Sequence, residues 1–397
     1  MDKENRIFGL RPNVFFLGLV SLFNDFSAEM MYSVMPGFLT TVLGAPPVFV
    51  GFIEGFADAL ASFLKIYFGW VSDKIGKRKI LAVLGYIISV STRWFLALVG
   101  NFWQVFFLRA VDRVGKGLRD SPRDALISES VEAKELGKSF GYHRMMDTVG
   151  ATLGPLAAVF LLPVIMNDYR MLFKISFFVG ILSIITFIFV KEIKAPRTEV
   201  EKLSHPEFSF SLKEYSRDFK EYILAVFIFG LGVMPVALLL LKSKEAGING
   251  FSIPLMYFFY NLSFVFFAVP AGRLADKIGD KKVIAGGFLS GIFSYLNLAF
   301  FSGVFSIILG FIIFGLYSAM TDGVERAFAS KLVPANKLAT GQGFLNSAVG
   351  ISSLLAGIIG GTIWTEFGSR QALIYGAIMM FIGLLTFIHL NSRKKVI

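Results

Sequence analysis

Cysteine is absent from this 397-residue chain, and histidine occurs only three times, as His143, His205 and His389. The first absence excludes disulfides and thiolate metal sites. The scatter of the histidines excludes a His-Glu-x-x-His zinc centre, and no G-x-x-x-x-G-K-[ST] phosphate loop is present to bind ATP. An enzyme is not expected, nor is a resident metal or cofactor. Charge is scarce too. Asp, Glu, Lys and Arg make up 17% of the residues, where a soluble domain carries about 25%.

What fills the chain instead is apolar: 55% hydrophobic residues, including 45 phenylalanines, with a mean hydropathy of +0.67. Apolar runs of about 20 residues recur, each long enough to cross a bilayer as a helix. Twelve such spans are expected, at 13–38, 46–69, 79–99, 102–123, 138–163 and 169–190, and then 219–243, 250–273, 281–300, 304–326, 338–364 and 369–390. Asp25 and Glu29 interrupt the first span, and no small-residue cleavage site follows it, so it reads as a retained helix and not a signal peptide.

The formal net charge of +11 does not point to nucleic acid. About 28 of the 39 Lys and Arg fall in loops and tails on one side of these spans and about four on the other. That asymmetry predicts both termini in the cytoplasm of a multi-pass cell-membrane protein. Residues 191–218 are polar, basic and broken by Pro196 and Pro206. They read as a cytoplasmic linker, with room for a short surface helix, between an N-terminal bundle (1–190) and a C-terminal bundle (219–397).

The two bundles repeat. GWVSDKIGKRK (69–79) follows span 2 and GRLADKIGDKK (272–282) follows span 8, offset by 203 residues from Gly69 to Gly272. At the same offset Arg123 maps onto Arg326. Gly69, Asp73, Gly76 and Arg78 resemble the loop 2–3 signature of the major facilitator superfamily, and Gly272, Asp276, Gly279 and Lys281 its weaker copy. LRAVDRVGKG (108–117) resembles the family's fourth-helix motif, with Arg109 in the arginine position and Arg113 as a departure from it. Gly141, Gly150, Gly154 and Pro155 on span 5 resemble the packing motif of the 12-helix drug/proton antiporters, although Ala158 and Val159 stand where that motif ends in glycines. The resemblance implies an all-α integral membrane protein, its twelve helices forming two pseudo-symmetric six-helix bundles around a central cavity. It implies secondary transport by alternating access. The loop signatures, with Asp120, Arg123, Asp124 and Arg326, imply a conformational gate in which Asp73 and Asp276 lie near helix starts of the opposite half.

Intramembrane charge marks the candidate chemistry, because a charge near the bilayer centre costs roughly 2.5–3.5 kcal/mol on insertion scales. Arg109, Asp112, Arg113 and Lys116 form one helical stripe on span 4. Asp25 and Glu29 share a face of span 1 near mid-membrane, where desolvation disfavours a carboxylate's charged form. They are the first candidates for proton coupling, against a permanent Asp25–Arg113 ion pair. Glu54 and Asp58 lie on span 2, and Arg93 on span 3 is expected to form a salt bridge with one of them. His143 and Asp147 on span 5 are further candidates for proton transfer, with Arg144 and Asp147 pairing toward span 4. Phe227, Phe229, Met234, Tyr257, Phe258, Phe259 and Tyr260 offer an apolar wall opposite these charges, which suits an amphipathic small molecule.

The leading expectation is therefore proton-coupled export of such a molecule by a monomer whose partners are that substrate and the bilayer. Uptake of an organic anion, drawn by Arg93, Arg109, Arg113, Lys65 and Lys116, is the alternative. Divalent-metal export, resting on Asn24, Asp25, Glu29, Glu54 and Asp58, is a weaker one.

Overall fold

The computed structural model describes residues 6–75, 78–132, 135–192, 215–245, 252–333 and 338–392. Gly76 and most of the 191–218 linker, with the surface helix considered there, lie outside them. The described chain is helical, with no strand beyond one isolated bridge between Ile7 and Leu10. In order the helices are α1 (Pro12–Tyr32), α2 (Met35–Gly37), α3 (Pro47–Ile75), α4 (Arg78–Leu96), α5 (Phe102–Glu129), α6 (Leu136–Val164) and α7 (Tyr169–Thr186). They continue as α8 (Arg217–Gly230), α9 (Val236–Glu245), α10 (Ser252–Ile278), α11 (Asp280–Phe300), α12 (Val304–Lys331), α13 (Leu338–Phe367) and α14 (Ser369–Ser392).

Among the described residues, ten helical stretches are long and apolar enough to cross a membrane. Two expected spans are not among them. The α5 helix is long enough at 28 residues, but its charges remove it from the apolar class. The predicted span 219–243 is divided into α8 and α9, because Leu231–Pro235 leaves the helix: Pro235 has no N–H to continue the ladder, and Met234 N–H donates instead to the Tyr295 hydroxyl at 2.8 Å. The first span also differs from expectation. It stops at Tyr32, and α2 then runs into a π-helical turn at Phe38–Val42.

Hydrogen bonds between helix ends define two faces. Asn13 bonds Ser130 and Lys191, and Arg6 pairs with Glu135 at 2.7 Å, so these ends share what we term the N-terminal face. On the opposite face Arg170 bonds the Ala97 carbonyl, Lys242 bonds Ser369, and Val48 N–H bonds Thr365.

Three glycine contacts set the packing. Gly150 and Gly154 bring α6 onto the backbone of α1, where an added Cβ would lie 2.5 Å from the Leu22 carbonyl oxygen and 2.6 Å from that of Phe26. Gly85 and Gly115 do the same for α4 and α5. Gly51 and Gly357 press α3 onto α13 near the opposite face. Gly141 differs from its expected packing role, because nothing lies within 4 Å of a Cβ placed there.

Candidate functional site

Asn101 caps α5 by accepting from Gln104 N–H at 3.0 Å, and the helix is held between α4 at Gly115 and α3 at Gly117. This orients the charged stripe inward. Arg109 and Glu54 form a two-pronged pair, Nε to Oε1 at 3.0 Å and Nη2 to Oε2 at 2.5 Å, with side chains 2% and 1% exposed. Arg109 Nη1 also donates to Asp112 at 3.3 Å, and its guanidinium lies 5.3 Å from the Tyr32 ring centre. Arg113 reaches Asp112 at 3.9 Å. The Asp25–Arg113 pair does not form: Asp25 accepts instead from Asn24 Nδ2 at 2.8 Å.

Arg93 departs furthest from expectation. It makes no salt bridge with Glu54 or Asp58. Its side chain, 1% exposed, donates from Nη1 to Ser27 at 2.5 Å and from Nη2 to Asn24 Oδ1 at 2.9 Å. The reason is the turn of α4, which points Arg93 at α1 and α7. There the missing side chain of Gly180 leaves room for the guanidinium, while Glu54 is already taken by Arg109. Asn24 Oδ1 also accepts from Arg119 Nη1 at 2.8 Å, so one neutral amide serves two buried guanidinium groups. Asn24→Ala takes this acceptor from both, leaving Arg93 with Ser27 and Arg119 with Asp120, and an unmet buried donor costs about 1–3 kcal/mol, more when charged. The expected outcome is a lower melting temperature of the purified protein than Ser21→Ala produces. Equal melting would mean that the amide is not holding the two arginines.

Glu29 points across to α10, where the Tyr257 hydroxyl donates to its Oε2 at 2.7 Å. The Tyr32 and Tyr257 rings meet at 5.3 Å and those of Tyr257 and Tyr260 at 5.8 Å. Asn261 Nδ2 bonds the Ala151 carbonyl at 3.2 Å, and Ser353 Oγ lies 3.3 Å from Asp58. These contacts join helices before the linker to helices after it.

A cavity of about 420 Å³ lies beside them. Of the nine charged candidates on α1–α6, only Asp58 lines it, with Tyr32 the other contribution from those helices. Asp25, Glu29, Glu54, Arg109, Asp112 and Arg113 sit behind this wall, and the remaining lining comes from α8–α13. The expected charged wall opposite the apolar one is therefore corrected: apart from Asp58 it is not formed, because the arginines and carboxylates satisfy one another inside the first set of helices. Phe229, Met234, Tyr257 and Tyr260 line the cavity as the aromatic pattern suggested, while Phe227, Phe258 and Phe259 do not. The lining continues through Tyr317 and Ser318 to Asp322, Glu325 and Arg326, toward the N-terminal face. Glu325 and Tyr32 were not legible as lining residues, since nothing in their spacing separates a cavity face from a packed one.

His143 Nε2 lies 2.7 Å from Ser21 Oγ, and its Nδ1 lies 3.6 Å from Asp147. Arg144 does not turn toward α5. It pairs with Asp322 of α12 at 3.7 Å. Of the gate candidates, Arg78 pairs with Glu129 at 3.0 Å, and Arg123 with Asp124 at 3.0 Å and Asp120 at 3.8 Å. Arg326 pairs with Asp322 at 2.7 Å on its own helix. Asp276 is exposed and forms no hydrogen bond among the described residues. The Cβ position at Gly272 is open. Gly69 and Asp73 lie on α3, but their side chains are not among those described.

Known proteins share this fold. The Major Facilitator Superfamily description matches residues 17–241 and again 222–396. An uncharacterised MFS-type transporter of Methanocaldococcus jannaschii is 33% identical over 94% of this chain and 95% of its own. A multi-drug resistance efflux pump, PmrA, of Streptococcus pneumoniae is 24% identical over 78% of each chain. Among solved structures, the nucleoside transporter NupG superposes with a TM-score of 0.72 at 15% identity, covering 97% of this chain and 99% of that one. A peptide transporter POT in complex with sulfate gives 0.74 at 15% identity, covering 98% and 95%; both likenesses speak to the fold alone. With its all-helical multi-pass architecture and a match over nearly its whole length, the chain belongs to the major facilitator superfamily of membrane transporters.

Proposed function

We propose that the chain is a secondary active transporter that works by alternating access and exports an amphipathic small molecule in exchange for protons. In this reading α5 and the broken pair α8–α9 complete twelve crossings, arranged as six-helix bundles at 1–190 and 219–397. The excess of Lys and Arg on the loops of one side sets the N-terminal face in the cytoplasm of the cell membrane. The protein acts as a monomer, without a cofactor, driven by the proton gradient.

One observation carries this reading. Near the opposite face α3 and α13 are packed backbone to backbone at Gly51 and Gly357, while the cavity runs toward the N-terminal face. That is the form expected of an inward-facing carrier. Glu29 then has two roles. With Tyr257 donating to it, it ties the bundles together in this state, and its protonation weakens that tie, because a neutral acid accepts a weaker hydrogen bond than a carboxylate. Asp25 lies one turn away on the same helix, with Asn24 as its hydrogen-bond partner, and takes part in the same step. The paired Arg109, Glu54 and Asp112 hold the helices that carry these groups. His143 and Asp147 continue the polar path toward the N-terminal face. The efflux pump named among the relatives favours export over uptake.

The organic-anion reading loses support because Arg93 and Arg109 are engaged behind the cavity wall. Among the described residues no three His, Asp or Glu side chains converge as a metal-ligand set, so the divalent-metal reading has no geometric backing.

The test is counterflow in proteoliposomes under an imposed pH gradient. Glu29→Gln is expected to abolish gradient-driven accumulation while retaining exchange at equal pH, and Tyr257→Phe to lower the gradient-driven rate severalfold. Retention of full proton-driven accumulation by both Asp25→Asn and Glu29→Gln would refute the coupling role.

A further inference from the structure

A second cavity lies on the outside of the helix array. It holds about 430 Å³ between α11 and α12, with Ser290, Phe293, Asn297 and Phe300 down one face of α11 and Ile313 on α12. Positions 290, 293, 297 and 300 follow the three-and-four spacing of one helical stripe. Phe293 and Phe300 are 62% and 53% exposed. The stripe therefore faces away from the bundle core and, in a membrane protein, toward lipid. It shares no lining residue with the central cavity.

From Ser290 to Phe300 the helix rises about 15 Å. That is half of a hydrocarbon core about 30 Å thick, the depth of one leaflet. The deep end offers no spare donor, because the Ser290 hydroxyl is spent on the Gly286 carbonyl at 2.9 Å. Polar capacity gathers at the other end. Asn297 accepts from Ser306 at 2.7 Å through Oδ1, while its Nδ2 group has no acceptor among the described residues. One turn further, the Arg370 guanidinium lies 4.9 Å from the centre of the Phe300 ring. Arg370 is exposed and forms no ion pair or side-chain hydrogen bond among the described residues. Its neighbour Ser369 bonds Lys242, so this end of the groove lies at the face opposite the N-terminal one.

A lipid chain gains little by exchanging other lipid chains for apolar side chains, since both are equally apolar. A lipid held at one place needs polar contacts as well. Those left over here are donors, an amide N–H and an unpaired cation, and a guanidinium matches the paired oxygens of a phosphate. We propose that the groove holds one chain of an anionic phospholipid from the leaflet at the opposite face, with its phosphate at Arg370 and a glycerol oxygen at Asn297. Ile313 meets that chain while the next residue, Phe314, lines the central cavity, so α12 carries lipid on one side and the cavity on the other. The proposal is independent of proton coupling and of the direction of transport.

The experiment uses the lack of cysteine to place a bimane fluorophore at one position in the full-length protein. Leu289→Cys puts it beside the deep end of the groove, and Leu182→Cys on α7 serves as a control; the two leucines are 44% and 43% exposed. Each labelled protein is reconstituted in phosphatidylcholine vesicles. Increasing fractions of phosphatidylglycerol or phosphatidylcholine bearing a nitroxide near the end of one chain are then included as quencher. At Leu289→Cys, half-quenching is expected at a mole fraction of phosphatidylglycerol at least threefold lower than of phosphatidylcholine. At Leu182→Cys the two lipids are expected to quench alike. Added to the Leu289→Cys protein, Arg370→Gln is expected to remove the preference, and Ile313→Phe, which narrows the groove, to weaken quenching by both lipids. An arginine that merely attracts anionic headgroups to the surface would keep its preference at unchanged quenching in the Ile313→Phe protein. That result would overturn the proposal. So would equal quenching by the two lipids at Leu289→Cys, the same preference at both positions, or a preference that survives Arg370→Gln.

Discussion

Gly51→Val is expected to abolish net transport and to leave the opposite face unable to close. The interface between α3 and α13 has no slack at this point. A Cβ on Gly51 would run into the Gly357 carbonyl oxygen, and a Cβ on Gly357 into that of Gly51. Those atoms are backbone, so they cannot rotate away as a side chain would. Overpacking in a core costs about 1–3 kcal/mol. An equilibrium biased by that much moves about 5- to 150-fold, and two opposed backbones place this site at the upper end. Because the chain contains no cysteine, a single Thr365→Cys probe can be added to the same face without background. Its labelling by a membrane-impermeant maleimide is expected to rise severalfold in the Gly51→Val protein. Unchanged labelling with full transport would show that this contact is not a closure.

Arg109→Met is expected to cause the largest loss of stability of any single change in the charged cluster. It leaves Glu54, 1% exposed, without its two-pronged partner. Removing one member of a buried pair costs about 3–5 kcal/mol, because the remaining charge is uncompensated. At the roughly 2–4 °C per kcal/mol of a domain of about 150–250 residues, that corresponds to a fall in melting temperature of roughly 6–20 °C. The double variant Arg109→Met with Glu54→Met removes both charges and is expected to recover most of the loss, since apolar replacement of a buried pair is often close to neutral. If the double variant melts no higher than the single one, Arg109 is holding something other than Glu54. Asp112, which also accepts from Arg109, would then be next to test.

The stripe on α5 was readable before any coordinates, because helical periodicity alone puts Arg109, Asp112, Arg113 and Lys116 on one side. Its partners were not. Glu54 is 55 positions earlier, and choosing it over Asp58 depends on the rotation of α3 about its own axis, which one turn of spacing cannot distinguish. Arg93 illustrates the same limit. Its burial follows from its place in an apolar run, yet an acidic partner was the natural expectation. What accommodates it is Asn24, Ser27 and the gap at Gly180, three positions on two other helices. Short polar side chains carry little signal in a sequence, and a missing side chain carries none.

The glycines of α6 divide in a similar way. Their spacing suggested close approach for Gly141, Gly150 and Gly154 alike. Only the latter two meet α1: Gly141 lies nine residues before Gly150, about half a turn round the helix, and faces away, although its neighbours Tyr142 and His143 touch α1 at Gly18 and Ser21. Likewise the repeat between Arg123 and Arg326 is plain in the sequence, but their surroundings differ. Arg123 is drawn to Asp124 and Asp120, whereas Arg326 pairs with Asp322 at the cavity wall.

By itself the sequence determined that this is a multi-pass helical membrane protein of the major facilitator type, with buried charge concentrated before the linker. Hydropathy and signature motifs are local properties, so neither needs a fold to be read. Tertiary structure decided which charges cancel and which are left to act. Ion pairing is a matter of a few ångströms between helices far apart in the chain. The outcome is that Arg93, Arg109 and Glu54 are consumed in holding the helices together, while Asp58 and Glu325 are left facing the cavity.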